Sequence, residues 1–387
     1  MKLGRFLSIS FLLLVCILLA DGTANAQTTS VFASGLNRPI KIIDTPTGHF
    51  LVSESGTATP NSGRISIFDS TGNRRTLIAG LPSGLSMGSA LGPAGLELQG
   101  RTLYVAITEG NSVMPGPLPG TIVPNPNPSS PLFSSVLALR FSANVERTTE
   151  GFSLTLADQF ALLNGQTLTL SNGRGDTLTV ELVVDFPNYV PNPLPNFPGN
   201  VRNSNPFSLT VFRGDLYVAN AGLNAVFGVD LQSGAVRTVT TFAPIPNPLF
   251  PFGPPVSDAV PDSIRVFENQ FLVPLLVGFP FAPNVSSVRI VDPRSGINQI
   301  FIGGLTRSID ILPVKQRGST GFLVLEYSTD FLSGAPGRLL FFASTSATPT
   351  VVAGGLLGPT NMARDEKTGD VFITEIGSGR IIRVQIP

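Results

Sequence analysis

Four residues with oxygen-bearing side chains recur at one place in a repeated phrase. Glu54, Asn220, Glu326 and Glu375 each close an apolar run, in HFLVSES from His49, DLYVANA from Asp215, GFLVLEY from Gly321 and DVFITEI from Asp370. Two further runs, TLYVAIT from Thr102 and QFLVPLL from Gln270, carry Ile107 and Leu275 at the same point, and Glu109 follows two residues after the first of these. A second set, Arg38, Asn205, Asp262, Asp310 and Asn361, opens the apolar stretch before five of the six phrases, all but TLYVAIT. Carboxylates and amides gathered in a ring are hard ligands suited to Ca²⁺ or Mg²⁺, and a metal so held is able to support a hydrolase or lactonase. The same residue types also serve as turn and capping groups, which repeats place at equivalent sites. Nucleophilic catalysis finds no set of residues. His49, the sole histidine, follows Gly48 in a turn on the side away from the other candidates, so no Ser-His-Asp arrangement forms around them. No catalytic residue is assigned.

The elements that must position these side chains follow from their spacing. Glu54, Ile107, Asn220, Leu275, Glu326 and Glu375 lie 53, 113, 55, 51 and 49 residues apart. A period near 50 with alternating apolar residues is the mark of four-stranded units, each burying its faces against its neighbours in a β-propeller. Third strands read GRISIFD, SVLALRF, AVFGVDL, SVRIVDP, GRLLFFA and GRIIRVQ. Fourth strands follow four of them, as RTLIAGL, RTVTTFA, QIFIGGL and TVVAGGL, but the sixth unit stops at Pro387. TTSVFASGLNRP at 28–39 matches TPTVVAGGLLGP at 348–359 without a gap, so the amino-terminal strand supplies the missing piece and closes the ring. Closure removes an open edge.

The expected fold is therefore all-β, a six-bladed propeller of the NHL or TolB type. Its blades fall at about 39–80, 92–157, 205–245, 260–304, 307–355 and 359–387 with 28–35, and the long interval is read as an insertion at 158–204 in blade two. LSNGRGDTL within it reads as a hairpin tip, and Arg174-Gly175-Asp176 as an ordinary turn. Long connections rich in Pro, Asn and Phe gather on one face, among them 114–131, 187–200, 243–256 and 278–284, whereas the opposite face carries short turns. Long loops on a rigid scaffold are the usual carriers of binding.

Composition narrows the partners. Among 387 residues, 25 basic side chains balance 25 acidic ones, which leaves no electrostatic footprint for nucleic acid. Lys2 and Arg5 precede an apolar run at 6–20, and Ala24-Asn25-Ala26 offers a cleavage site, so residues 1–26 read as an export signal rather than an anchor. The only cysteine, Cys16, lies in that run, and residues 27–387 have none for disulfides or thiolate chemistry. The expectation is a monomer without a transmembrane anchor, periplasmic or extracellular.

SNPFSLTVFRGDLYVANAGLNAVFGVDLQSG from Ser204, VPDSIRVFENQFLVPLLVGFPF from Val260, RSIDILP from Arg307 and GPTNMARDEKTGDVFITEIGSGRIIRV from Gly358 resemble the ScyD/ScyE family of exported bacterial NHL-like propellers. The likeness covers most of the chain after the leader. Its departures are the insertion, the Pro-rich loops and Arg38-Pro39-Ile40. The resemblance implies a six-bladed propeller outside the cytoplasm and assigns no activity. Together these features point to a binding or scaffolding module acting through its loop-rich face on a protein, small-molecule or polysaccharide ligand. The alternatives are a Ca²⁺- or Mg²⁺-dependent hydrolase at the channel mouth and a carbohydrate-binding surface protein.

Overall fold

The computed structural model describes residues 28–316 and 318–386; the expected leader, with Cys16, lies outside them. Six antiparallel sheets form in chain order. Blade one comprises Pro39–Asp44, Phe50–Glu54, Gly63–Phe68 and Arg74–Leu81, and blade two Pro93–Gln99, Thr102–Ile107, Ser135–Phe141 and Thr177–Asp185. Blade three holds Pro206–Phe212, Asp215–Asn220, Ala225–Asp230 and Val236–Thr241, and blade four Arg265–Phe267, Gln270–Leu275, Ser286–Val291 and Asn298–Leu305. Blade five runs through Ser308–Gln316, Ser319–Glu326, Gly337–Phe342 and Thr350–Leu356, and blade six through Pro359–Arg364, Val371–Glu375 and Arg380–Val384. The first strand of every blade touches the first strand of the next, and blade six touches blade one, so the chain is a six-bladed β-propeller.

Closure is made by Thr29–Ala33, which pairs antiparallel with Arg380–Val384 as the outer strand of blade six. Leu36 donates its N–H to the Gly379 carbonyl at 3.0 Å and Gln385 to that of Thr28 at 3.2 Å, fastening both ends of the strand. Phe32 then meets Phe372 at 4.8 Å and Phe50 at 5.9 Å, filling the seam between blades six and one with rings in edge-on contact. Equivalent apolar layers separate the other blades, because second and third strands are buried on both sides and run almost continuously apolar.

Blade two corrects the expected boundaries. Its outer strand is Thr177–Asp185, far beyond residue 157, and it is extended by Leu168–Ser171 in a hairpin around 172–176. The 3–4 connection of this blade, residues 142–176, is thus long, on the side expected to carry only short turns. It contains the helix Leu156–Leu163, opened by a capping box between Thr155 and Asp158. It also contains Phe152–Ser153, which lies parallel against the outer strand of blade one. A parallel strand leaves no hairpin signal in the sequence, which is why the segment reads as a featureless insertion. Arg174 at the hairpin tip sits 3.8 Å from Glu150, an exposed pair.

Candidate functional site

The repeat fixes where each candidate lies. The first residue of each inner strand or its approach, Pro39, Pro93, Pro206, Pro261, Ser308 or Pro359, pairs with Glu54, Ile107, Asn220, Leu275, Glu326 or Glu375 respectively. The residue just before it offers its carbonyl to the N–H just after the second strand in all six blades. Ser55 bonds Arg38, Thr108 bonds Gly92, Ala221 bonds Asn205, Leu276 bonds Val260, Tyr327 bonds Arg307 and Ile376 bonds Gly358, at 2.8 to 3.1 Å. Holding that carbonyl bends the backbone into the left-handed region at Arg38, Val260, Arg307 and Gly358, with φ of 56°, 56°, 55° and 62°. Glycine adopts this freely, but a β-branched valine there stores strain, of the kind that collects at binding sites.

Glu54, Asn220, Glu326 and Glu375 serve as clasps on this frame. Glu54 is fully buried and accepts from the Asn37 N–H, from Ser66 Oγ and from the guanidinium groups of Arg64 and Arg74. Glu326 accepts from the Thr306 N–H and Arg338, Glu375 from the Leu357 N–H, Ser378 and Arg380, and Asn220 from the N–H groups of Asn205 and Leu223. These contacts tie each inter-blade connection to the end of a second strand and occupy the carboxylates from within.

Asp310 and Asn361 are buried two residues into their inner strands, opposite Leu325 and Thr374 respectively. Asp310 accepts from Ser263 Oγ at 2.8 Å, Arg265 Nε at 2.9 Å and Nη2 at 2.6 Å, Asn361 Nδ2 at 2.6 Å and the Met362 N–H at 3.0 Å. Asn361 in turn accepts from the Ile42 N–H at 3.1 Å. Burial pushes the Asp310 carboxyl up, but the charge and hydrogen bonds of Arg265 outweigh it and hold the group below its ordinary range. One carboxylate thus couples blades four, five, six and one around the channel. Lys41 is buried beside it and is pushed down to about 8 by burial, with the charge of Arg265 adding to the shift.

Arg38, Glu109, Asn205 and Asp262 lie at the ends of second strands or the approaches to inner ones, and electrostatic influence links Glu109 with Asp262, Asp262 with Arg307, and Tyr327 with both Arg307 and Arg38; Arg307 and Tyr327 are not among the expected site residues. Burial pushes Glu109 up to about 7, a hydrogen bond to Asn203 opposing it and the nearby charge of Asp262 reinforcing it. Asp262 is likewise raised to about 7 by burial, against the charge of Arg307. Arg307 and Arg38 are both lowered by burial, and both feel Tyr327. Arg307 donates to the Val277 carbonyl at 3.1 Å, and its guanidinium lies 4.5 Å from the centre of Phe281 and 4.4 Å from that of Phe331. Glu109 Oε2, Ser112 Oγ, Asn205 Oδ1 and Arg307 Nε are buried polar atoms that no protein group satisfies. Buried polar atoms ordinarily have partners, and these four lie among the eight such atoms of the described residues that have none within the chain.

A line of rings leads to this cluster from the rim. Phe252 stands 5.7 Å from Phe279, Phe279 5.8 Å from Phe281, and Phe281 4.6 Å from Phe331. Phe250, Phe252, Phe279 and Phe331 are exposed. VGFPF and the Pro-rich loop of 243–256 carry all of the line but Phe331, and their ring content is the one sequence signal that foreshadows it. Arg307 gives no local signal, because its role depends on Asp262 from another blade. Among the described residues, no group of three or more His, Cys, Asp and Glu is placed to hold a metal ion, and no helix is long and apolar enough to cross a membrane. His49 lies in the 1–2 turn of blade one beside Thr47, on the opposite face.

No protein-family model matches the chain, and no curated protein matches it in sequence. Solved structures do resemble it in fold. An auxiliary nutrient binding protein from Bacteroides thetaiotaomicron is 10% identical with a TM-score of 0.51, over 92% of this chain and 76% of that one. The PQQ-bound aldose sugar dehydrogenase from Streptomyces coelicolor is 14% identical with a TM-score of 0.49, over 93% and 98%. At such identities the likeness concerns the fold alone.

Proposed function

We propose that this chain is an exported β-propeller of the ScyD/ScyE family, built from NHL-type repeats, that binds a ligand through its loop-rich face at the channel mouth. The observation that carries this reading is the set of buried, unsatisfied polar atoms of Glu109, Asn205 and Arg307 at the mouth, with rings lining the approach. Arg38 and Arg307 keep their charge at any ordinary pH, while Glu109 and Asp262 stand near half-protonation at neutrality. The mouth therefore presents permanent donors beside carboxyls able to donate or accept. Its ligand is a body with an apolar or ring-bearing part for the phenylalanines and a polar, hydrogen-bonding end for the arginines and acids.

A polysaccharide is the second reading, favoured by the exposed ring faces of Phe252 and Phe279. The metal-dependent hydrolase gains no support from the carboxylates, since Glu54, Glu326, Glu375 and Asp310 are engaged by protein donors. Thermal-shift titration of the chain from residue 27 with 2-naphthoate, 2-naphthylmethanol and maltohexaose tests the proposal, with Arg307→Met and Glu109→Gln as site variants. A saturable shift with a naphthyl probe, lost in both variants, is the expected result. A shift with maltohexaose alone favours the second reading, and no shift with any probe, or an equal shift in the variants, overturns a site at the mouth.

A further inference from the structure

Outer strands of the blades share one irregularity, and on blade one it has an occupant. Pairing of third and fourth strands skips one residue at Leu77 in blade one, Phe301 in blade four, Val352 in blade five and Phe32 in blade six. Each bulged strand then ends in a glycine of positive φ before a leucine, Gly80, Gly304, Gly355 and Gly35. On blade one, Phe152 runs opposite Ile78 and Ser153 opposite Ala79, in parallel, and Leu154 donates its N–H to the Ala79 carbonyl at 3.0 Å. The Leu154 carbonyl comes so close that a Cβ on Gly80 would stand 2.0 Å from it. Phe152 and Leu154 are each only 3% exposed, so this added strand is part of the core.

Blade four repeats the receptor without the guest. Ile302 and Gly303 occupy the positions of Ile78 and Ala79, and a Cβ on Gly304 would meet nothing within 4 Å. Ile297 and Ile300 on this edge are 60% and 63% exposed. Cavities of about 480 Å³ and 310 Å³ open on its two sides, and Gly303 and Gly304 line both. The larger lies toward blade three, with Phe242, Ile245 and Ile300, and the smaller toward blade five, with Leu305, Leu340 and Phe342. Successive side chains of a strand point to opposite faces of its sheet. A strand added here would send alternate side chains into the two cavities.

We propose that the outer edge of blade four is a docking slot for an extended segment of a partner polypeptide, added in parallel opposite Ile302 and Gly303. Its sequence alternates small and apolar residues, as Gly151-Phe152-Ser153-Leu154 does on blade one. Main-chain hydrogen bonds hold such a guest and the alternate pockets select it. The occupant is a partner rather than a second copy, because the chain's own segment of this pattern is buried on blade one and cannot be offered to a neighbour.

The test is fluorescence anisotropy of a labelled peptide with the sequence of residues 149–157, TEGFSLTLA, titrated with the chain from residue 27. Saturable binding that weakens by about tenfold in Ile300→Asp is expected, since that change removes one apolar contact from an exposed position. Val351→Asp on blade five leaves binding unchanged. Hydrogen exchange with wild-type protein supplies the second measurement, with protection gained at Ile302 and Gly303 when the peptide is added. Absence of saturable binding, equal binding by Ile300→Asp, or protection appearing on blade one instead overturns the proposal. A concentration-dependent dimer in sedimentation equilibrium, abolished by Ile300→Asp, gives the edge to a second copy and overturns it as well.

Discussion

Replacing Glu109 by Gln alters the pH dependence of stability in a way that follows directly from its burial. Glu109 moves from an ordinary 4.5 to about 7 in the folded chain, and Asp262 from 3.8 to about 7. Between those limits the folded state binds protons that the unfolded state has released. Stability is therefore greatest in mild acid and falls as pH rises through 7, the reverse of a salt-bridged carboxylate. Each fully differential proton contributes a slope of about 1.4 kcal/mol per pH unit, so the Glu109 shift alone amounts to about 3 kcal/mol between pH 4.5 and 8. Asp262, raised by its own burial, contributes a slope of the same sign over the same window. Urea denaturation from pH 5 to 8 measures it. Glu109→Gln keeps the shape, removes one titrating group and flattens the curve, leaving the variant more stable relative to wild type at pH 8 than at pH 5. Wild-type stability that rises with pH across this window, or a variant that parallels wild type, would falsify the assignment of a desolvated acid pair.

Three other outcomes follow from the same geometry. Asp310→Asn leaves the part-buried guanidinium of Arg265 without its counter-charge and destabilises by about 2–4 kcal/mol, whereas the double change with Arg265→Met recovers much of the loss in a denaturation cycle. Removing residues 28–35 takes away the closing strand and the Phe32 contacts and abolishes a single cooperative transition. Replacing the exposed 193–199 loop by Gly-Gly, between the paired Asn192 and Asn200, leaves the melting temperature nearly unchanged; equal effects would refute closure. Elemental analysis and melting with and without chelator address the metal reading: no stoichiometric Ca²⁺ or Mg²⁺ and no shift are expected, and a bound metal or a chelator-induced loss of stability would restore that reading.

The carboxylates that first draw the eye in the sequence and the ones that gather at the mouth are different subsets. Glu54, Glu326 and Glu375 recur because each must accept an arginine and a backbone N–H at the same point of its blade. Periodicity reports that structural duty and is silent about ligands. Glu109 and Asp262 break the repeat, one lying two residues past the equivalent position and the other in an irregular approach to its strand. Their shared property, loss of water, depends on loops from other blades.

Although its assignment of all long loops to one face missed the 142–176 connection, the sequence by itself determined the architecture: period, strand order and ring closure by TTSVFASGL. These are properties of local patterning, since alternation and turn chemistry are written within a few residues. Only the tertiary structure decided where blade two ends, that Asp310 bridges four blades through Arg265 and Asn361, and that Arg307, packed on Phe281 and Phe331, comes within electrostatic reach of Asp262. The fifth strand on blade one belongs to the same class. Each depends on desolvation or on pairing between segments distant in the chain, and neither leaves a trace at the residues' own positions until the ring brings them together.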